Sequence, residues 1–199
     1  MNRSTAYRVS GVFHPLFLNA AGFALLFLIA PSLHRYTPQA IGLVIGLFTL
    51  STVVLPLLAI SLLRLNGMVQ SMELETQQER KLPLLITALL YVSIYYLFQK
   101  LQLDFVLLRY ALAASSVLIF VSLTNNFYKI SLHATGVGAL LGFLVKVSHF
   151  SMFDIRPLFA LMCVAGGWVI AARLFAGAHS VAQIIWGLSG GFLLMWLVF

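Results

Sequence analysis

The chain has 199 residues, 61% of them hydrophobic and only 9% charged, with a mean hydropathy of +1.01. Soluble domains carry roughly 25% charged residues, so this composition excludes a water-soluble globular fold and describes a membrane protein. The net charge of +7 forms no concentrated basic stripe; it suits anionic headgroups or phosphorylated substrates and argues against nucleic acid. Cys163 is the single cysteine and lies in an apolar run, so no disulfide within the chain is possible.

At about 20 apolar residues per span, the length holds six to seven transmembrane helices and leaves no room for a separate soluble domain. The expected fold is all-α, a polytopic transmembrane helix bundle forming a single integral membrane domain over 1–199. Within it, 1–63 reads as two leading spans, 64–82 as an interfacial polar segment, and 83–199 as a site-bearing helical core.

In chain order, Arg3 and Arg8 precede the first apolar run in the manner of a signal-peptide n-region. That run contains Pro15 and Asn19 and leads straight to a second span, so it reads as an uncleaved first helix. The apolar runs fall near 15–33, 40–63, 83–100, 104–124, 132–149, 157–174 and 181–199. Pro31, Pro38, Pro83 and Pro157 sit at their edges, where a missing N–H costs least, whereas Pro56 falls inside the second run and should kink it. Segment 64–82 carries Arg64, Glu73, Glu75, Glu79, Arg80 and Lys81, lacks proline, and is expected to be helical, along the interface or as an extension of a neighbouring span. Asp104 and Arg109 crowd the start of the fourth run.

Irregular backbone cannot face lipid, so these runs must be helices. Seven spans put segment 64–82 and the turns at 125–131 and 174–180 on one membrane face, together with the N-terminus. That face carries seven Lys and Arg residues (Arg3, Arg8, Arg64, Arg80, Lys81, Lys129, Arg173) against five on the other (Arg35, Lys100, Arg109, Lys146, Arg156). Without Lys129 and Arg173 the counts are equal, so charge does not decide the orientation.

Two short stretches hold the candidate chemistry. Ser131 and His133 open a helix, where unpaired N–H groups and the dipole favour an anion; Ser131 can cap that helix and donate to a phosphate oxygen. Small residues from Ala134 to Ala139 let it pack closely on a neighbour. Arg173 and His179 are six apart, so they meet only if the chain turns between them, and Gly177 is a suitable breaker. His179 and Gln183 share a helix face, and Gln183 can accept from the imidazole and set its tautomer.

This pattern resembles the type 2 phosphatidic acid phosphatase superfamily, whose signatures are K-x6-R-P, P-S-G-H and S-R-x5-H-x3-D. Ser131-Leu132-His133 resembles the second signature, with Ile130 for its proline and Leu132 for its glycine. Ala172-Arg173-x5-His179-x3-Gln183 resembles the third, with Ala for Ser and Gln for Asp; Arg80-Lys81-Leu82-Pro83 is what remains of the first, with Glu75 where its Lys would stand.

The resemblance implies a lipid-phosphate phosphatase or phosphotransferase working through a phosphohistidine. His179 would be the nucleophile and His133 the acid, while Arg173, Ser131, Lys129, Arg80 and Lys81 would bind phosphate. Gln183, or an acid such as Glu79, would support the nucleophile. It implies no cofactor and no metal, a phosphorylated lipid as substrate, and no oligomeric state in particular. The alternative is a non-catalytic phosphatase-like protein that binds a phosphorylated lipid or serves as an accessory subunit. The expected location is the plasma (inner) membrane of a bacterium. Other readings are interfacial anchoring for Lys129, His14, His34 and His149, packing for Tyr91, Tyr95 and Tyr96, and an acidic metal pair at Glu75 and Glu79 of the membrane prenyltransferase kind, which would need a second aspartate-rich motif.

Overall fold

A computed structural model describes Gly11 and residues 13–72, 74 and 76–199. The expectations for Arg3, Arg8, Glu73 and Glu75 fall outside the described residues. Among those residues the chain is helical throughout its regular structure, in seven apolar helices: α1 (Pro15–Ile29), α2 (Pro38–Leu65), α3 (Gln77–Lys100), α4 (Phe105–Thr124), α5 (Leu132–Val147), α6 (Arg156–Phe175) and α7 (Val181–Val198). Five are long and apolar enough to cross a membrane, and α1 and α5 are shorter apolar helices beside them. The protein is an all-α integral membrane bundle.

Local chemistry sets most of the helix starts. Thr37, Asp104, Ser131 and Ser180 each accept a backbone N–H at an N-cap, and Pro15 and Pro38 occupy the first turn, where no N–H is needed. Thr76 and Glu79 form a reciprocal capping box that starts α3 at Gln77, ahead of Pro83. The 64–82 segment is therefore not one helix. Its first two residues end α2, its last six begin α3, and the described residues between them are irregular. The capping box and the positive φ of Gly67 (71°) stop helix from running through.

Pro56 is accommodated inside α2 by a π-helical turn, Leu50–Val54, just ahead of it. The carbonyl of Thr52 would in an α-helix receive the N–H that Pro56 lacks; it accepts the Tyr91 hydroxyl instead, at 3.2 Å. Asn19 Nδ2 donates to that same hydroxyl at 3.1 Å, tying α1, α2 and α3 together in mid-bundle.

The tightest seam joins α5 to α7. A Cβ on Gly187 would lie 2.7 Å from the Ser131 carbonyl, and Gly138, Gly142 and Gly191 face the opposite backbone with as little room. Small residues permit this approach, which apolar attraction cannot drive in lipid. Ser131 N–H also donates to the Gln183 carbonyl at 3.2 Å, so the N-terminal ends of α5 and α7 are pinned side by side. Away from that end, Phe23, Phe48, Phe98, Tyr110, Phe143 and Phe199 form a continuous aromatic block, with Phe23 stacked on Phe48 at 3.8 Å. Outward-facing Leu43, Leu58, Leu89, Trp168 and Trp186 present the apolar surface that lipid requires.

Candidate functional site

The α2–α3 connection, the α4–α5 turn, the α6–α7 turn and the start of α1 lie at one end of the bundle, as seven alternating spans dictate. Between them opens a cavity of about 340 Å³ whose lining includes His14, Arg80, His133, Arg173 and His179 at its polar end. Below that end the wall is apolar, made by residues such as Leu84, Val117, Leu118 and Met195. The cavity thus joins a cationic mouth to an oily interior.

His179 reaches the cavity because α6 stops abruptly. Gly177 takes φ +66°, Ala178 N–H donates to the Arg173 carbonyl at 3.1 Å and Gly177 N–H to the Leu174 carbonyl at 2.9 Å. This is a Schellman termination, for which glycine is the low-cost residue. Arg173 ends one helix and His179 stands two residues ahead of the next, and both line the same space.

The His179 ring is held by Gln183: Nδ1 and Oε1 are 3.1 Å apart. Ser180 N–H donates to the same Oε1, also at 3.1 Å, as half of the capping box of α7. A backbone N–H needs an acceptor, so the amide oxygen and not the amide nitrogen must face His179. The imidazole then carries its proton on Nδ1 and leaves the Nε2 lone pair uncommitted to that bond. Burial is the first cause that depresses the His179 pKa; Arg80 is the next, Arg173 and Lys129 add to it, and the bond to Gln183 opposes it. The result is a value of about 4, so the ring is neutral at physiological pH.

Arg80 is buried at 3% exposure. Its Nε donates to the Leu74 carbonyl at 2.7 Å and its Nη1 to the Ile130 carbonyl at 3.1 Å, which orients the rest of the fork. Among the described residues the ion pairs are Arg35–Asp104 (3.0 Å) and Arg156–Asp154 (2.9 Å), both at the opposite end of the bundle. No described carboxylate pairs with Arg80. A buried cation bonded to two backbone carbonyls beside a second arginine is suited to an anion.

The other expected residues are placed differently. Ser131 is fully buried, and its Oγ accepts Ala134 N–H at 3.3 Å, so it caps α5 and does not line the cavity. Lys129 is half-buried, outside the lining but near enough to act on His179. Lys81 is exposed, because its neighbour Arg80 already takes the inward direction and successive helical residues diverge by about 100°. Glu79 is committed to the N–H groups of Gln70 (3.0 Å) and Thr76 (3.2 Å), so it serves the start of α3 and not His179.

His14 was read as an interfacial residue and is instead part of the cavity. Its Nδ1 accepts Leu16 N–H at 3.4 Å, capping α1, and its ring stands 5.8 Å from that of His133, edge to face. Burial holds its pKa below the ordinary value. The site is consequently not confined to 83–199: α1 and the first turn of α3 build it too. A signal was available, since His14 precedes Pro15 at a helix start on the face that carries the other histidines. His34 and His149 lie exposed near the opposite end. Of the tyrosines, Tyr91 is buried and lines the cavity, while Tyr96 faces outward. Among the described residues no group of three or more His, Cys, Asp or Glu could hold a metal ion.

Fold and site together define a polytopic helical membrane protein with a cavity at one end of the bundle lined by histidines and arginines. Comparison with protein-family models, curated proteins and solved structures finds no match.

Proposed function

We propose that this chain is a membrane lipid-phosphate phosphatase or phosphotransferase related to the type 2 phosphatidic acid phosphatases. The observation that carries the reading is the single cavity in which His133, His179, Arg80 and Arg173 meet above an apolar interior. The arginines take the phosphoryl oxygens and neutralise the charge that builds on them. His179 attacks phosphorus through Nε2, forming a P–N bond as the P–O bond to the lipid breaks. His133 delivers a proton to the departing alkoxide. Water, or an acceptor alcohol in a phosphotransferase, then takes the phosphoryl group from nitrogen and restores His179.

A second reading rests on Gln183. The amide provides the Nδ1–H tautomer but no negative charge to stabilise a phosphorylated, positively charged ring. A binding protein built on the same scaffold would keep the arginines and tolerate that loss. Phosphate release from phosphatidic acid, phosphatidylglycerol phosphate and a polyprenyl diphosphate, by wild type beside His179→Ala, separates the two. The catalytic reading expects release that His179→Ala reduces by about three orders of magnitude or more, the scale on which nucleophile removal acts. Equal rates would sink the nucleophile assignment. Saturable binding without release by wild type would establish the binder. The plasma membrane of a bacterium remains the proposed location.

A further inference from the structure

We infer that Asn19 is a specificity-determining residue, whose side-chain oxygen accepts from a hydroxyl or N–H that the lipid carries just beyond its phosphate. The inference rests on the lipid-phosphate reading above and names the part of the lipid class the cavity accepts.

The orientation of Asn19 follows from Pro56. Because Pro56 has no N–H to offer the Thr52 carbonyl, the Tyr91 hydroxyl donates there, at 3.2 Å. A hydroxyl has one proton, so the Tyr91 oxygen can only accept from Asn19, and it is the amide nitrogen that approaches it, at 3.1 Å. The Asn19 side-chain oxygen is thereby turned away from Tyr91. Tyr110 does not claim it either, for its hydroxyl donates to the Asn19 backbone carbonyl at 2.8 Å. Asn19 is half-buried and lines the cavity, so its oxygen is the acceptor this part of the wall offers to a bound molecule.

Position gives that acceptor its meaning. Asn19 lies five residues along α1 from His14 at the polar end, a rise of about 7.5 Å. The group it meets therefore belongs to the linkage between phosphate and chain, not to the phosphate. The chemical class is a lipid monophosphate bearing a hydroxyl or N–H donor between its phosphate and its hydrocarbon.

The test compares three lipids with the full-length protein in mixed micelles: lysophosphatidic acid, its analogue with the free hydroxyl replaced by hydrogen, and two-chain phosphatidic acid. Phosphate release by wild type and displacement of labelled lysophosphatidic acid from His179→Ala are both measured. The hydroxyl compound should exceed both the deoxy analogue and the two-chain lipid, whose corresponding hydroxyl is acylated, by about tenfold, the scale of one hydrogen bond. Asn19→Leu should bring the hydroxyl-to-deoxy ratio close to one. Equal handling of the hydroxyl and deoxy lipids by wild type overturns the inference even if that variant fails to fold. Release at equal rates from all three lipids overturns the inference and leaves the catalytic reading standing. The predicted order in displacement without any release does the reverse. Absence of both release and binding overturns both.

Discussion

The two ends of this bundle solve opposite problems with the same helices. At one end, Phe23, Phe48, Phe98, Tyr110, Phe143 and Phe199 fill the interior with interlocking rings, and Asp104 and Asp154 pair with Arg35 and Arg156 at the rim. At the other, Arg80 is buried without a described carboxylate, and space is left open beside it. The contrast teaches that the aromatic end holds the helices in register so that the cationic end can remain open.

Breaking the aromatic end should give the largest effect. Phe23→Ala removes a fully buried ring stacked on Phe48, and should cost about 3–5 kcal/mol of stability, read as reduced resistance to unfolding in detergent. Ligand preference in the surviving folded fraction should be unchanged.

At the cavity end, Arg80→Gln should leave the protein folded, since the amide N–H₂ can still serve a carbonyl. It should lower phosphate release by about 10²–10³, as loss of one preorganised charge donor does. Retained activity would show that Arg173 alone handles the phosphoryl group.

Gln183→Glu sharpens the comparison by placing against His179 a carboxylate that no described residue supplies there. The new carboxylate keeps the bonds to Ser180 and His179 and favours the imidazolium, so the His179 pKa must rise from about 4. In wild type the nucleophile is unprotonated above about pH 4, and the acid limb of kcat/KM should fall as pH drops through that value. In the variant the acid limb should move to higher pH while the plateau rises. A linked stability effect has a definite sign. Folded His179 titrates near 4 and unfolded His near 6.5, so the unfolded chain binds more protons between them. Wild-type stability should therefore fall as pH is lowered through that window, and His179→Asn should flatten the fall.

The smallest expected effect is that of His14→Gln. Its amide oxygen can still cap α1, so stability should change little, while loss of the ring against His133 should slow release by less than about tenfold. A change in the basic limb of the pH profile, with the acid limb unmoved, would assign His14 to positioning His133.

Much of the fold was legible because lipid permits few solutions. The apolar runs near 104–124 and 181–199 became α4 and α7 within a residue of their ends, and the small residues of α5 anticipated its close seam with α7. The helical expectation for 64–82 failed because composition carries no information about where a capping box forms. Gly67 ends one helix, and Thr76 with Glu79 starts the next through a three-residue spacing that polarity averages away. Within the site, Arg173, His179 and Gln183 were legible as spacing, since Gly177 between them allows only a turn. Lys81, Ser131 and Glu79 were read as site residues from proximity in sequence. Their side chains are exposed, spent on a cap, or spent on backbone N–H groups.

By itself, then, the sequence determined that this protein lives in a membrane, that its spans are helices, and that His133 and His179 share one end. Each of these follows from local rules: the cost of bare backbone in lipid, the length of a span, the alternation of faces. Only tertiary structure decided that His14 joins His133, that Arg80 turns inward while Lys81 turns out, and that Asn19 offers its oxygen to the cavity. Those facts depend on contacts between helices far apart in the chain. The Thr52 carbonyl bared by Pro56 reaches Asn19 only through Tyr91, 39 residues from one and 72 from the other.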